Sequence, residues 1–165
     1  MSFLLNLNRN IYITAFFLFF FIVGVFIFPD YGLSIDEDKT RLNGFISLAY
    51  ILKIFVSERV SEINNIIVEQ MGQSYGMMVT TDAVSSGIVF DLPMALLELI
   101  FQVNDSRETF LLRHFFNFLI FFISTYFFFL LVKNRYNSWI VGIIGALFLI
   151  ISPRIFADSF YNNKD

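Results

Sequence analysis

Apolar residues gather into three long runs along the chain, and polar residues recur between the first run and the second. The first run covers residues 10–28 and ends at Pro29 and Asp30, a helix-stopping residue followed by an acid. The other runs cover residues 112–132 and the shorter stretch 137–152. A bilayer-spanning helix needs about 20 predominantly apolar residues, so the pattern predicts three transmembrane helices. The first is interpreted as a retained anchor, since a cleaved signal peptide would have a shorter apolar core and a small-residue cleavage site.

The second span carries a signal at its start. Asp105 and Glu108 have the spacing of a capping box, in which the first acid caps the helix and the second reaches back to it. The helix is therefore predicted to begin near residue 106, ahead of the apolar run itself. Arg113 and His114 then belong to this helix, close to the point where it meets the lipid.

The third run contains two small residues one helical turn apart, Gly142 and Ala146. A small-xxx-small face allows a helix to pack closely on another helix within a membrane. Two small residues at this spacing also occur by chance. The sequence leaves both interpretations open.

The segment between the first two runs, residues 29–110, is too long for a structureless loop. Within it, residues 43–58 predict a helix with a wide apolar face, which is typical of helices that lie in the membrane interface. The polar half of this helix is formed by Asn43, Ser47, Lys53, Ser57 and Glu58. Residues 70–87 are rich in Gly, Ser and Thr and predict an irregular connection. Asp91 and Pro93 then open a further amphipathic helix, where proline suits the first turn.

Composition agrees with this pattern and narrows the class of protein. The 165 residues are 57% hydrophobic and 15% charged, whereas ordinary soluble domains are roughly 25% charged. We therefore predict an all-α integral membrane protein, a single membrane domain over residues 1–165, with about three transmembrane helices and amphipathic juxtamembrane helices in a long external segment. Its predicted partner is the lipid bilayer.

The net charge of −3 argues against nucleic acid as a partner. The lack of Cys excludes disulfides and cysteine nucleophiles, and the single His excludes multi-histidine metal sites.

Basic residues beside the spans indicate the orientation. Arg9 precedes the first run, and Lys133 and Arg135 fill the short turn between the second and third. Cytoplasmic flanks of membrane spans carry an excess of Lys and Arg. The N-terminus is therefore predicted to be cytoplasmic, with residues 29–110 and the C-terminal tail on the opposite face.

The first candidate site is an acidic motif just beyond the first run. Asp36, Glu37 and Asp38 follow one another within about eight residues of the predicted hydrocarbon edge. Adjacent carboxylates repel, which raises one pKa and suits a general base. The same carboxylates could hold a hard divalent cation, or they could be helix N-terminal acids in a solvated turn. The residues alone leave these three interpretations open.

The second candidate site follows the third run, on the same predicted side of the membrane. Its polar residues include Arg154, Asp158, Lys164 and Asp165, with aromatic residues between them. Arg and Lys suit the binding of a phosphate group. Aromatic and basic residues at this depth also form ordinary interfacial anchors.

Three stretches of the chain carry a family resemblance: SIDEDKTRLNG, GIVFDLPMALLELIF with DSRETFLLRHFFNF, and SPRIFADSFYNNKD. Their order, with a span before an acidic pair and a hairpin of spans behind it, resembles the N-terminal part of the GT-C superfamily of polytopic glycosyltransferases. The branch that the chain resembles most is that of the protein O-mannosyltransferases and aminoarabinose transferases, glycosyltransferase family 39. The resemblance extends over nearly the whole chain.

The resemblance implies a chemistry and a set of roles. Such enzymes transfer a sugar from a polyprenyl-phosphate donor to an acceptor hydroxyl on the non-cytoplasmic face, with inversion. Asp36 would be the general base, and Glu37 would position the acceptor or a divalent cation, the one cofactor considered. Arg154, Lys164 and Asp165 would lie near the donor phosphate.

The chain also departs from the family, whose members have around a dozen spans. It is therefore expected to be an N-terminal fragment, inactive alone, whose further partners are the remaining transmembrane helices of a longer chain in a bacterial cytoplasmic membrane. Arg113 and His114 lie where the family has a matching pair, with no chemical role assigned. The alternative is a non-enzymatic three-span accessory protein that packs against partner helices.

Overall fold

A computed structural model of the chain describes residues 2–32, 37–55, 65, 68, 88–103 and 105–161. Every regular element among them is helical, which confirms the all-α class. The α-helices are α1 (Ser2–Ile27), α2 (Glu37–Phe55), α3 (Asp91–Phe101), α4 (Ser106–Tyr136), α5 (Trp139–Ile151) and α6 (Pro153–Tyr161), and a 3-10 turn, Phe28–Asp30, follows α1. Two compact units result, one over residues 1–32 and 110–162, the other over residues 33–109 and 163–165.

Two of the predicted spans are long apolar helices in the structure. The segment Arg9–Asp30 and helix α4 are each long and apolar enough to cross a membrane. Helix α5 has 13 residues, a length of about 20 Å, which is short of a hydrocarbon core about 30 Å thick. It continues into α6 after a bend of 71°. The described residues thus contain two helices that are long and apolar enough to span a membrane, or three such segments if α5 and α6 are counted as one broken span.

Aromatic side chains pack the helices of the first unit together. Phe17 of α1 meets Phe129 of α4 edge to face, with 5.4 Å between ring centroids. Ala146 of α5 is buried in the same cluster, and a Cβ on Gly142 would lie 2.9 Å from the Phe129 ring. The packing interpretation of the small residues in the third run is therefore confirmed.

Helices α2 and α3 form the second unit and make a much closer contact. Gly44 of α2 lies so near the backbone carbonyl of Asp91 that a Cβ would overlap it. Around this contact five side chains form a buried core: Phe45, Ile46, Leu48, Ala49 and Ala95. The predicted helix at 43–58 is confirmed as far as Phe55, but its predicted polar half is wrong at Asn43, which is buried. The contact between α2 and α3 buries Asn43, which the sequence pattern placed on the water-facing side of the helix.

Local signals at the helix ends agree with the structure. The Asp105 carboxylate accepts a hydrogen bond from the backbone N–H of Arg107 at 3.2 Å, so its capping role is confirmed. Helix α3 begins at Asp91 with Pro93 in its first turn, as predicted. It ends where Gln102 adopts a left-handed conformation with φ of 51°. The predicted irregular connection at 70–87 lies outside the described residues.

Candidate functional site

The structure describes one of the two predicted catalytic residues of the acidic motif. Asp36 lies outside the described residues, and Glu37 begins α2 as described. Glu37 is buried, with only 5% of its surface exposed, and its carbonyl accepts a hydrogen bond from the Thr40 hydroxyl at 2.9 Å. A carboxylate in the first turn interacts favourably with the positive end of the helix dipole. Glu37 therefore lies at the end of α2 where the helix dipole complements a negative charge.

A buried ion pair fixes α2 against α3 one turn beyond Glu37. The Arg41 Nε donates to Glu98 Oε2 at 2.9 Å, and these two side chains are 8% and 2% exposed. The Arg41 guanidinium also lies 5.6 Å from the centroid of the Phe45 ring, within range of a cation–π interaction. Removing one partner of such a pair leaves an uncompensated buried charge. The pair therefore holds the start of α2, where Glu37 lies, in a defined register against α3.

Sequence reasoning missed this pair, although α3 contained a signal for it. Asp91, Met94, Ala95 and Glu98 are the buried residues of α3. Their spacing of three and four residues defines the core face of a helix. Glu98 is thus a charged residue at a core position, which calls for a buried basic partner elsewhere in the chain.

No metal centre is formed among the residues that the structure describes. They contain no group of three or more His, Asp or Glu side chains arranged to hold a metal ion. The predicted cation site depends on Asp36 together with Glu37, and Asp36 is outside this set. That site stays a prediction.

The second polar cluster begins on α6. Arg154 lies in the first turn of this helix with its side chain 87% exposed, 3.6 Å from the Asp158 carboxylate. An exposed pair of this kind contributes little to stability. The guanidinium is accessible to an anionic ligand because the side chain is exposed. Lys164 and Asp165 lie outside the described residues.

A stack of three aromatic rings joins α6 to the end of the first span. Phe160 is fully buried, with its ring centroid 5.3 Å from that of Phe118 and 4.3 Å from that of Tyr31. The Asn117 amide donates to the carbonyl of Asp158 at 3.4 Å. Partial burial raises the pKa of the Tyr31 phenol above its usual value. The chain leaving α1 is thereby held beside the helix that carries Arg154.

The remaining predicted residues, Arg113 and His114, are both buried on α4. Each sits within one turn of Asn117, the residue that contacts α6. Their burial points to internal polar contacts and gives no direct access for a ligand.

The chain was compared with known protein families, curated proteins and solved structures. No protein-family model matches the chain, and neither a curated protein nor a solved structure matches it. The function is therefore inferred from the residues and their geometry.

Proposed function

We propose that the chain forms the N-terminal membrane region of a glycosyltransferase of the GT-C type. It would transfer a sugar from a polyprenyl-phosphate donor to an acceptor hydroxyl on the non-cytoplasmic face of a bacterial cytoplasmic membrane. The observation that carries the proposal is the stacking of Tyr31 on Phe160, at 4.3 Å between ring centroids. This contact supports the proposal because it holds the end of the first span, five residues before Asp36 in the sequence, beside the helix that carries Arg154.

The number of residues between Tyr31 and Asp36 sets an upper limit on the distance between them. Asp36 follows Tyr31 by five residues, and five extended residues span at most about 18 Å. Arg154 is on the helix to which Phe160 belongs. The covalent chain therefore keeps Asp36 within about 18 Å of the tyrosine that stacks on α6. A lipid-linked donor keeps its tail in the bilayer, so its phosphate reaches the ends of the apolar helices.

In the proposed reaction Asp36 takes the proton from the acceptor hydroxyl. The acceptor oxygen forms a bond to the anomeric carbon, and the bond from that carbon to the phosphate oxygen breaks, with inversion. Arg154 and Lys164 offset the charge of the departing polyprenyl phosphate, and Asp165 orients them. Glu37 positions the acceptor or, together with Asp36, a divalent cation.

The test is transfer of a labelled sugar from polyprenyl phosphate in membranes that contain the complete natural protein. Asp36→Ala should lower the rate by a factor of about 10² to 10⁴, the contribution of a positioned general base. Asp30→Ala is the matched control, because Asp30 is an exposed acid at the same end of the first span. A wild-type rate in Asp36→Ala would remove the assignment of the base.

A second candidate function is that of a non-enzymatic accessory protein with two or three spans. The aromatic packing of α1, α4 and α5 around Phe17, Phe129 and Ala146 favours it, because these contacts join the three helices without any further helix. The coding sequence beyond Asp165 discriminates the two. Further spans favour the enzyme, and a stop codon favours the accessory protein.

A further inference from the structure

Three basic residues lie at the end of the first unit that is remote from α6. The Tyr12 and Trp139 rings stack with 6.2 Å between centroids and 6° between planes, which brings the start of α5 to the start of α1. Arg9 lies one turn before Tyr12 on α1. Lys133 and Arg135 are in the last turn of α4, which ends three residues before Trp139. We call this group the basic end.

The positive charge of the basic end has no acidic counterpart nearby in the chain. Residues 1–29 and 109–157 contain no Asp or Glu at all. Within the described part of the chain, Arg9, Lys133 and Arg135 form no ion pair. These three charges therefore have no carboxylate partner among the described residues.

One donor of the basic end is already desolvated. The Nε of Arg9 is buried and has no hydrogen-bond acceptor among the residues that the structure describes. Leaving a buried donor unmet costs about 1–3 kcal/mol, and more when the group is charged. An acceptor from outside the chain would relieve this cost.

The surroundings identify the chemistry of that acceptor. Arg9 directly precedes the apolar part of α1, and Tyr12, Tyr136 and Trp139 surround the same level. Aromatic residues of this kind mark the depth of lipid headgroups. The N-terminus of α5 adds the positive end of a helix dipole, and an arginine fork matches the oxygens of a phosphate. We propose that the basic end binds the phosphodiester headgroup of an anionic phospholipid of the bilayer.

This site is independent of the proposed glycosyl transfer, since it involves neither polar cluster. It differs from a diffuse attraction to a charged membrane in that charges of the basic end should matter, with Arg9 the strongest, whereas charges elsewhere on the chain should not. A general surface effect would depend only on the number of charges. Basic pockets between transmembrane helices are known to select anionic headgroups.

The only tryptophan of the chain is Trp139, which makes it a reporter at the site. The full chain is reconstituted in vesicles that contain either dibrominated phosphatidylglycerol or dibrominated phosphatidylcholine, and quenching of Trp139 fluorescence is measured. Stronger quenching by the anionic lipid at equal mole fraction is expected. Arg9→Gln should weaken this preference about fivefold, the effect of one basic charge near an anionic headgroup.

Arg107→Gln is the matched control, because Arg107 is exposed near the opposite end of α4 and loses the same charge. It should leave the preference unchanged. Arg9→Lys keeps the charge without the fork and should lose less than Arg9→Gln. If Arg9→Gln loses helicity by circular dichroism, Arg135→Gln takes its place, since Arg135 is exposed and carries no packing.

Three outcomes would overturn the proposal. The wild-type chain could show equal quenching by the two lipids. Arg107→Gln could reduce the preference as much as Arg9→Gln or Arg135→Gln, which would indicate diffuse electrostatics. Finally, inorganic phosphate at millimolar concentration could abolish the preference, which would indicate a soluble anion in place of a lipid. Loss of the preference confined to the basic end supports the site, whatever the result of the sugar-transfer assay.

Discussion

Each of the two compact units is held together internally by a different kind of contact. The first joins its helices through broad aromatic surfaces, with Phe17, Phe118 and Phe160 among its buried rings. The second joins two helices through a glycine contact and the buried Arg41–Glu98 pair. Helices in a bilayer gain nothing from withdrawing apolar surface from lipid, so their association depends on close van der Waals packing, which here fits aromatic rings against small residues such as Ala146. A helix pair that buries charge depends instead on each charge keeping its partner.

The largest expected effect is the loss of one member of the buried pair. Glu98→Ala removes the carboxylate that accepts a hydrogen bond from the buried Arg41 Nε and should lower the free energy of unfolding of the α2–α3 unit by about 3–5 kcal/mol. Replacing both residues, Arg41→Met with Glu98→Leu, should restore most of that stability, because apolar side chains of similar volume need no partner. Hydrogen exchange of the α2 and α3 amides measures the change within this unit.

Asp158→Ala is the control, since its partner Arg154 is 87% exposed. Its expected cost is at most about 1 kcal/mol. Equal losses in Glu98→Ala and Asp158→Ala would contradict the difference between buried and exposed pairs.

The next largest effect is the difference in stability between a Gly→Ala substitution in one unit and a Gly→Ala substitution in the other. Gly44→Ala places a methyl group on the backbone carbonyl of Asp91, and backbone cannot rotate away, so overpacking should cost about 1–3 kcal/mol. Gly142→Ala places it 2.9 Å from the Phe129 ring, which can shift. Both glycines are helical, so the gain in helix propensity of about 1 kcal/mol cancels between them. Thermal unfolding in detergent should therefore show Gly44→Ala as the less stable variant.

Gly32→Ala serves as the reference, because nothing lies within 4 Å of its added methyl group. A change within about 0.5 kcal/mol is expected for it. If Gly142→Ala proved more destabilising than Gly44→Ala, the aromatic interface would be the more rigid of the two.

The sequence predicted features that depend on neighbouring residues. Apolar runs, the Asp105 cap and Pro93 in a first turn each act within a few positions along the chain, and the structure confirms them. The Arg41–Glu98 contact joins residues 57 positions apart. Such a contact follows from how two helices meet, which no local pattern specifies.

The same limit applies to the candidate site. Both clusters were recognised because charge is scarce in an apolar chain, and the structure describes Glu37 and Arg154 among their residues. The stack that links Tyr31 to Phe160 was not predicted, since an abundance of phenylalanine (24 residues) hides which rings meet. Asn43 was misassigned for a related reason. Its exposure depended on a partner helix that lies some fifty residues further along the chain.

The smallest expected effect tests that aromatic stack. Phe160→Leu keeps an apolar side chain at the site but removes the ring that is 4.3 Å from Tyr31 and 5.3 Å from Phe118. The geometry-specific part of an aromatic pair contributes about 0.5–1.5 kcal/mol beyond its buried area, and thermal unfolding in detergent measures the loss. Phe148→Leu is the control at an outward-facing ring, 74% exposed. Equal stability of the two variants would mean that filling volume is enough to hold α6 beside the end of α1, and that stacking adds nothing to the aromatic unit.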